Sequence, residues 1–291
     1  MDYEQVGVPQ ARAVTTLVLT AILAGASVGA GFLGSLTGLG GGVIIIPLLT
    51  VVMGVDIRYA IGASLVSVIA TSSGAAAAYV REGFSNIRIG MFLEIATTLG
   101  ALGGAIIALH VAPSIISVIF GLVLLYSALQ IFRLPPGDID NVHPDRFATL
   151  LRMNGTYPGR DGSRPYNARS VPAGFGLMAI AGLLSGLLGI GSGALKVIAM
   201  DRVMKIPFKV STTTSNFMIG VTAAASAGVY LNRGYIDPVL AMPIMLGVLL
   251  GSILGTRILA AAETRVLRIV FAVTIVALGA EMVFKGVTER M

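Results

Sequence analysis

Apolar runs of roughly 20 residues alternate with short polar or glycine-rich breaks along almost the whole chain, and an α-helix needs a run of that length to cross the hydrocarbon of a bilayer. Runs at 13–37, 43–53, 59–80, 89–110 and 113–132 precede a polar stretch over 133–171 that holds Pro135-Pro136, several aspartates and six arginines. The pattern resumes at 172–188, 194–200, 208–231, 238–260 and 266–284. The runs at 43–53 and 194–200 are too short to span comfortably, and each follows a glycine cluster: Gly38-Leu39-Gly40-Gly41-Gly42 and Gly189-Ile190-Gly191-Ser192-Gly193. The pattern predicts an all-α polytopic membrane protein. It has an N-terminal membrane repeat over 1–132, an aqueous loop over 133–171 and a C-terminal membrane repeat over 172–291.

The order of runs repeats, and so do the residues. One ungapped offset of 151 residues carries Gly31, Leu33, Gly42, Met53, Ser64, Thr71, Tyr79, Gly83 and Phe120 onto Gly182, Leu184, Gly193, Met204, Ser215, Thr222, Tyr230, Gly234 and Phe271. Such self-similarity is the signature of an internal duplication. Orientation follows from lysine and arginine, which gather on the cytoplasmic side. With the 133–171 loop inside, only Arg12, Arg58, Arg233, Lys285 and Arg290 of the 20 basic residues fall outside, with Lys196 inside a segment. Arg81 is then inside and the loop of its mate, at Arg233, outside. The expectation is two inverted halves of five helical segments each, with both termini outside the plasma or inner membrane. Inverted repeats with broken helices are the common plan of secondary transporters, whose substrate sits near the midplane where the halves meet.

Composition narrows the function. Charged residues make up 12% of the chain against 55% hydrophobic, too few charges to coat a water-soluble body. The net charge of +6 is spread over interhelical loops, which argues against a nucleic-acid groove. Cysteine is absent and histidine is limited to His110 and His143, so neither disulfides nor a Cys/His metal site is expected. No Gly-x-x-x-x-Gly-Lys-Ser/Thr loop is present, so no nucleotide engine is built in and no cofactor is expected. The acidic opening, with Asp2 and Glu4, and the direct run into a repeated motif predict a retained segment rather than a cleaved leader.

The candidate chemistry lies at the breaks. Glycines at Gly38, Gly40, Gly41, Gly42, Gly189, Gly191 and Gly193, with Ser192, allow close helix packing. They also break a helix and free N–H groups for an anion. Lys196 follows the second cluster, while Ile45 is its repeat mate; it serves an anion's charge or snorkels to the cytoplasmic face. Glu94, whose mate is Met245, is a candidate proton carrier or an interfacial partner of Arg88 or Arg81. Ser64, Thr213, Ser215 and Asn216 can replace water around an anion's oxygens or bond between helices.

Those motifs resemble the TauE/SafE family of membrane permeases, the sulfite exporters. The resemblance rests on Gly38-Leu39-Gly40-Gly41-Gly42-Val43 leading to Pro47, on Gly189-Ile190-Gly191-Ser192-Gly193, and on Gly62-Ala63-Ser64-Leu65 with Thr214-Ser215-Asn216. Tyr79 with Gly83, and Tyr230 with Gly234, extend it over essentially the whole chain except the loop. It implies transport of sulfite, thiosulfate or a sulfonate, with export as the family habit. The second half departs from the pattern at Ser192, at Lys196 and at Ile198, which replaces the counterpart of Pro47. The partners expected are a small anion, the bilayer, a coupling proton or sodium ion, and a second copy of the chain in a homodimer. A passive anion channel and a membrane scaffold that uses the basic loop are the competing readings; an enzyme is not expected.

Overall fold

The computed structural model describes residues 16–37, 41–81, 83–133, 145–159, 162–259 and 264–288. Gly38 and Gly40 lie outside them. The first half comprises α1 (Thr16–Thr37), α2 (Gly42–Pro47), α3 (Ile57–Arg81), α4 (Ile87–Ala108) and α5 (Pro113–Arg133). A connecting segment holds α6 (Arg146–Leu150) and an antiparallel hairpin of β1 (Gly155–Gly159) and β2 (Gly162–Tyr166). The second half comprises α7 (Val171–Leu188), α8 (Gly193–Ile198), α9 (Phe208–Asn232), α10 (Pro238–Leu259) and α11 (Thr264–Thr288).

The offset of 151 carries α2, α3 and α4 onto α8, α9 and α10 residue for residue. Each short helix widens into a π-helical turn, Leu48–Val52 after α2 and Ala199–Val203 after α8. Both turns close on the same bond, from Val55 N–H to the Leu49 carbonyl and from Ile206 N–H to the Met200 carbonyl, each at 2.9 Å. Pro47 precedes the first turn and Ile198 the second, so proline is not what produces the widening.

Helices α1 and α10 pack together, as do their mates α7 and α4. Small residues bring the backbones into contact. A methyl group at Gly100 would overlap the Ala179 carbonyl, and one at Gly104 would overlap the Leu183 carbonyl. The order of these contacts makes α4 and α7 run parallel. The repeat mates α5 and α11 run antiparallel, with Gly121 against Gly279 and Ser114 against Gly286.

Three described helices are long and apolar enough to cross a membrane: Ile87–Ala108, Val171–Leu188 and Pro238–Gly255. Thr20–Ser35, Gly42–Val52 and Pro113–Leu129 are shorter apolar stretches. Met91, Ile95, Leu99 and Ile106 line the exposed face of α4, and Met242, Leu246 and Leu250 that of α10. By contrast, α3 and α9 pack on each other and are covered by α10 and α4. They bury Ser64, Ser67, Thr71, Ser72, Thr214, Ser215, Asn216, Thr222 and Ser226. Protein rather than lipid covers the inner faces of these two helices, so those faces carry hydroxyls that would be costly against hydrocarbon.

Two cation–π contacts tie the central pair to its neighbours at repeat-equivalent positions. The Arg58 guanidinium lies 5.8 Å from the Tyr235 ring centre, and the Lys209 ammonium lies 3.9 Å from that of Phe84. The connecting segment, expected to be merely polar and aqueous, instead packs a small core against the membrane body. Ala148, Met153, Tyr166 and Ala168 are buried with Ile89, Met204, Val210 and Met218. The Asn86 amide donates to the Tyr166 hydroxyl at 2.6 Å, and Asp145 accepts from Val171 N–H at the start of α7 at 2.9 Å. Burial raises the Tyr166 phenol above its ordinary value, with the Asn86 bond acting in the opposite direction.

Candidate functional site

The second glycine cluster forms a tight bend between α7 and α8. Gly189 has φ +68° and Gly191 φ +70°, a left-handed backbone that glycine adopts without penalty. Ser192 shares that conformation at φ +45°, and its hydroxyl donates to the Ala181 carbonyl at 2.6 Å. The helix break expected from the sequence is therefore present here. In the first cluster, Gly41 keeps right-handed helical angles as the residue before α2. The bend of the second cluster meets the start of α2: a methyl added at Gly42 would lie 3.3 Å from the Gly189 carbonyl oxygen and would overlap the Ser64 hydroxyl.

The expected hydroxyls are largely engaged with backbone. Ser64 donates to the Gly189 carbonyl at 2.7 Å and so joins the halves. Its mate Ser215 donates to the Gly193 carbonyl at 3.2 Å, and Thr213 donates back along its own helix to Lys209 or Val210. These groups shape the bend; Ser64 and Ser215 hold its carbonyls. Asn216 differs. It is 4% exposed and its side-chain N–H₂ has no hydrogen-bond partner. Such a buried orphan donor is costly and uncommon.

The two isolated ionisable groups come together. Lys196 is 0% exposed, so it does not snorkel. Its ammonium donates to Thr222 Oγ1 at 2.5 Å, and the Thr222 hydroxyl donates to Glu94 Oε1 at 2.6 Å, with the Met218 carbonyl at 3.0 Å as its alternative acceptor. Thr98, one turn on in α4, also donates to Oε1 at 3.2 Å. Glu94 Oε2 sits 4.0 Å from the ammonium and has no hydrogen-bond partner. Arg88, a partner offered for Glu94 by the sequence, instead donates to the Arg152 carbonyl at 3.0 Å; the Arg81 side chain lies outside the described residues. Three elements build the cluster, with Glu94 from α4, Lys196 from α8 and Thr222 from α9. It thus spans both halves. Glu94 is seven residues into α4, which places it roughly 10 Å below the start of that helix.

Thr222 went unrecognised as a site residue. The available signal was its place one turn before Ser226 and two turns after Ser215, on the polar stripe of an otherwise apolar helix. What it bridges depends on helix packing, which periodicity does not encode. Among the described residues no group of three or more His, Cys, Asp or Glu side chains is arranged to hold a metal ion.

The description "Sulfite exporter TauE/SafE" matches residues 22–282. The chain is 30% identical over 278 residues to the "Probable membrane transporter protein YjnA" of Bacillus subtilis strain 168, covering 92% of this chain and 99% of that protein. It is 26% identical over 267 residues to the "Probable membrane transporter protein YunE" of the same strain, covering 89% and 95%. A "Probable membrane transporter protein" of Xylella fastidiosa strain 9a5c is 26% identical over 259 residues, covering 88% and 92%. No solved structure matches the chain.

Proposed function

This chain belongs to the sulfite exporter TauE/SafE family of multi-pass membrane transporters, and on that premise we propose that it is a secondary transporter of a small sulfur-containing anion such as sulfite, thiosulfate or a sulfonate. The observation that carries the reading is the buried Lys196–Thr222–Glu94 cluster. A fully buried ammonium is expensive, and ionisable groups retained at membrane depth mark substrate or ion pathways. Lys196 supplies the countercharge for the anion. The unpartnered Asn216 amide offers a donor that the folded protein leaves free. The Gly189–Ser192 bend sets the course of α8, from which Lys196 reaches Thr222 of α9.

Antiparallel packing of the repeat mates α5 and α11 supports two inverted halves, the arrangement that lets one central site face either side in turn. The distribution of basic residues supports a cytoplasmic 133–171 segment with both termini outside, and export is the direction in keeping with the family's description. The family and its relatives are described as transporters rather than enzymes.

Thermal stabilisation of the purified protein by sulfite, sulfate, thiosulfate, sulfoacetate, taurine, acetate and phosphate tests the reading. A selective rise in Tm with a sulfur anion, absent in Lys196→Met, is the expected result. Equal response of Lys196→Met removes the lysine from the site. No response to any anion sinks the proposal.

A further inference from the structure

The Glu94–Lys196 pair occupies the charge that an incoming anion needs, and the pair is neutral as it stands. We propose that anion and proton are exchanged at this pair: the anion takes Glu94's place beside the Lys196 ammonium while Glu94 takes up one proton, so that each anion crosses together with a proton. The inference rests on the anion-transport reading and specifies its coupling ion and its charge balance.

Three observations lead to it. First, the ammonium has one hydrogen-bond partner, Thr222 Oγ1, and a carboxylate oxygen at 4.0 Å, too long for a hydrogen bond. The ammonium is therefore paired with Glu94 by charge but keeps donors for another acceptor. Second, Glu94 Oε2 is buried without a partner, so this oxygen is free to receive a proton. Its fellow Oε1 remains held by Thr222 and Thr98 whether or not Oε2 is protonated. Third, the environment holds no further charge to absorb an added anion. Helix α7, which packs on α4, carries no ionisable residue. On α9 the ionisable groups are Lys209, over the Phe84 ring, and Tyr230, on the Gly186 carbonyl. Beyond Lys196, α8 and its π turn add Asp201 and Arg202, 3.5 Å from each other, and Arg88 of α4 is bound to Arg152. Among the described residues, Lys196 alone faces Glu94 with a charge.

The step balances. An ammonium–carboxylate pair plus one monoanion and one proton becomes an ammonium–anion pair plus a neutral carboxylic acid, with zero net charge on both sides. Without the proton, one uncompensated negative charge would enter a low-dielectric interior. The proton comes from the aqueous phase that delivers the anion and leaves with it on the other side. The device occurs once, since Ile45 and Met245 stand at the repeat-equivalent positions of Lys196 and Glu94.

Methanesulfonate is the probe for the one-proton step, because it is a monoanion that carries no proton near neutral pH; thiosulfate, a dianion there, serves only to report that an anion binds. Anion-induced stabilisation of the purified protein is followed between about pH 5.5 and 8.5. In the wild type, apparent affinity should strengthen about tenfold per pH unit on acidification, the slope for one linked proton. Glu94→Gln, which imitates the protonated acid, should bind at about pH 8 as tightly as the wild type does in acid, with no pH dependence. A pH-flat wild type, or a wild-type slope in Glu94→Gln, overturns the coupling but leaves the transport reading standing. Should Glu94→Gln fail to fold, wild-type proteoliposomes with the membrane potential clamped decide. An acid-outside gradient should accumulate methanesulfonate about tenfold per pH unit, and transport without accumulation overturns the proposal. If neither anion stabilises or crosses with the wild type at any pH, the transport reading itself fails and takes this inference with it.

Discussion

The two halves share one backbone plan, yet only the second carries charge at its break. Gly41 precedes α2 in right-handed angles, whereas Gly189, Gly191 and Ser192 are left-handed before α8. Ile45, Met245 and Thr71 occupy the positions of Lys196, Glu94 and Thr222. Thr71 donates only along its own helix, to the Ser67 carbonyl at 2.8 Å, while Thr222 bridges two elements from different halves. The repeat-equivalent helices form a symmetric frame, and the charged pair sits on it asymmetrically, with Glu94 from the first half and Lys196 from the second. The connecting segment adds to the asymmetry, since its small core packs against α4, α9 and the π turn after α8.

The largest test of this contrast replaces each charged residue by its repeat mate. Lys196→Ile alone leaves Glu94 buried without its counter-ion and should lower stability by about 3–5 kcal/mol. Adding Glu94→Met should recover most of that loss, because an apolar pair of similar volume tolerates the site, but should leave no response to anions. Denaturation in mild detergent reads the stability and ligand-dependent Tm reads the binding. A double variant no more stable than the single would mean that the pair does not act as a unit.

A smaller contrast compares the two threonines. Thr222→Val removes the bridge and leaves a buried ammonium and a carboxylate oxygen short of a partner, at an expected cost of about 1–3 kcal/mol. Thr71→Val removes one intrahelical bond and should cost about 0.5–1 kcal/mol. Equal losses would erase the distinction between bridge and lining.

The least effect is expected where the halves are most alike. Lys209→Gln removes a cation from the Phe84 ring and should cost about 0.5–1 kcal/mol. Arg58→Gln should cost more, because Arg58 also donates to the Val111 carbonyl at 3.1 Å. A reversed order would show that the ring contact, not the carbonyl bond, governs the Arg58 end.

Much of the architecture was legible in one dimension. Lipid exposure demands apolar runs and a backbone satisfied within each segment, so the segments at 59–80 and 208–231 reappear as α3 and α9, a few residues longer at their ends. The break before α8 was legible because Gly189, Gly191 and Gly193 crowd five residues. The hairpin at β1 and β2 and the core around Met153 and Tyr166 were not, because 133–171 reads as polar and its buried side chains are scattered among arginines and aspartates. Nor did the roles of Ser64 and Ser215 emerge. A hydroxyl on a membrane helix looks the same whether it awaits a ligand or holds a carbonyl.

Residue order by itself determined the membrane class, the duplication and the identity of the rare ionisable groups, because hydrophobic length, fixed offset and charge scarcity are properties of the string. That Glu94 and Lys196 form one pair, with Thr222 between them, was decided only by the tertiary structure. The two residues are 102 positions apart and lie in different halves, and the packing of α4 beside α9, parallel in the order Asn86–Thr214, Gly90–Met218 and Glu94–Thr222, with α8 folded back by the glycine bend, is what carries an acid and a base to within 4.0 Å.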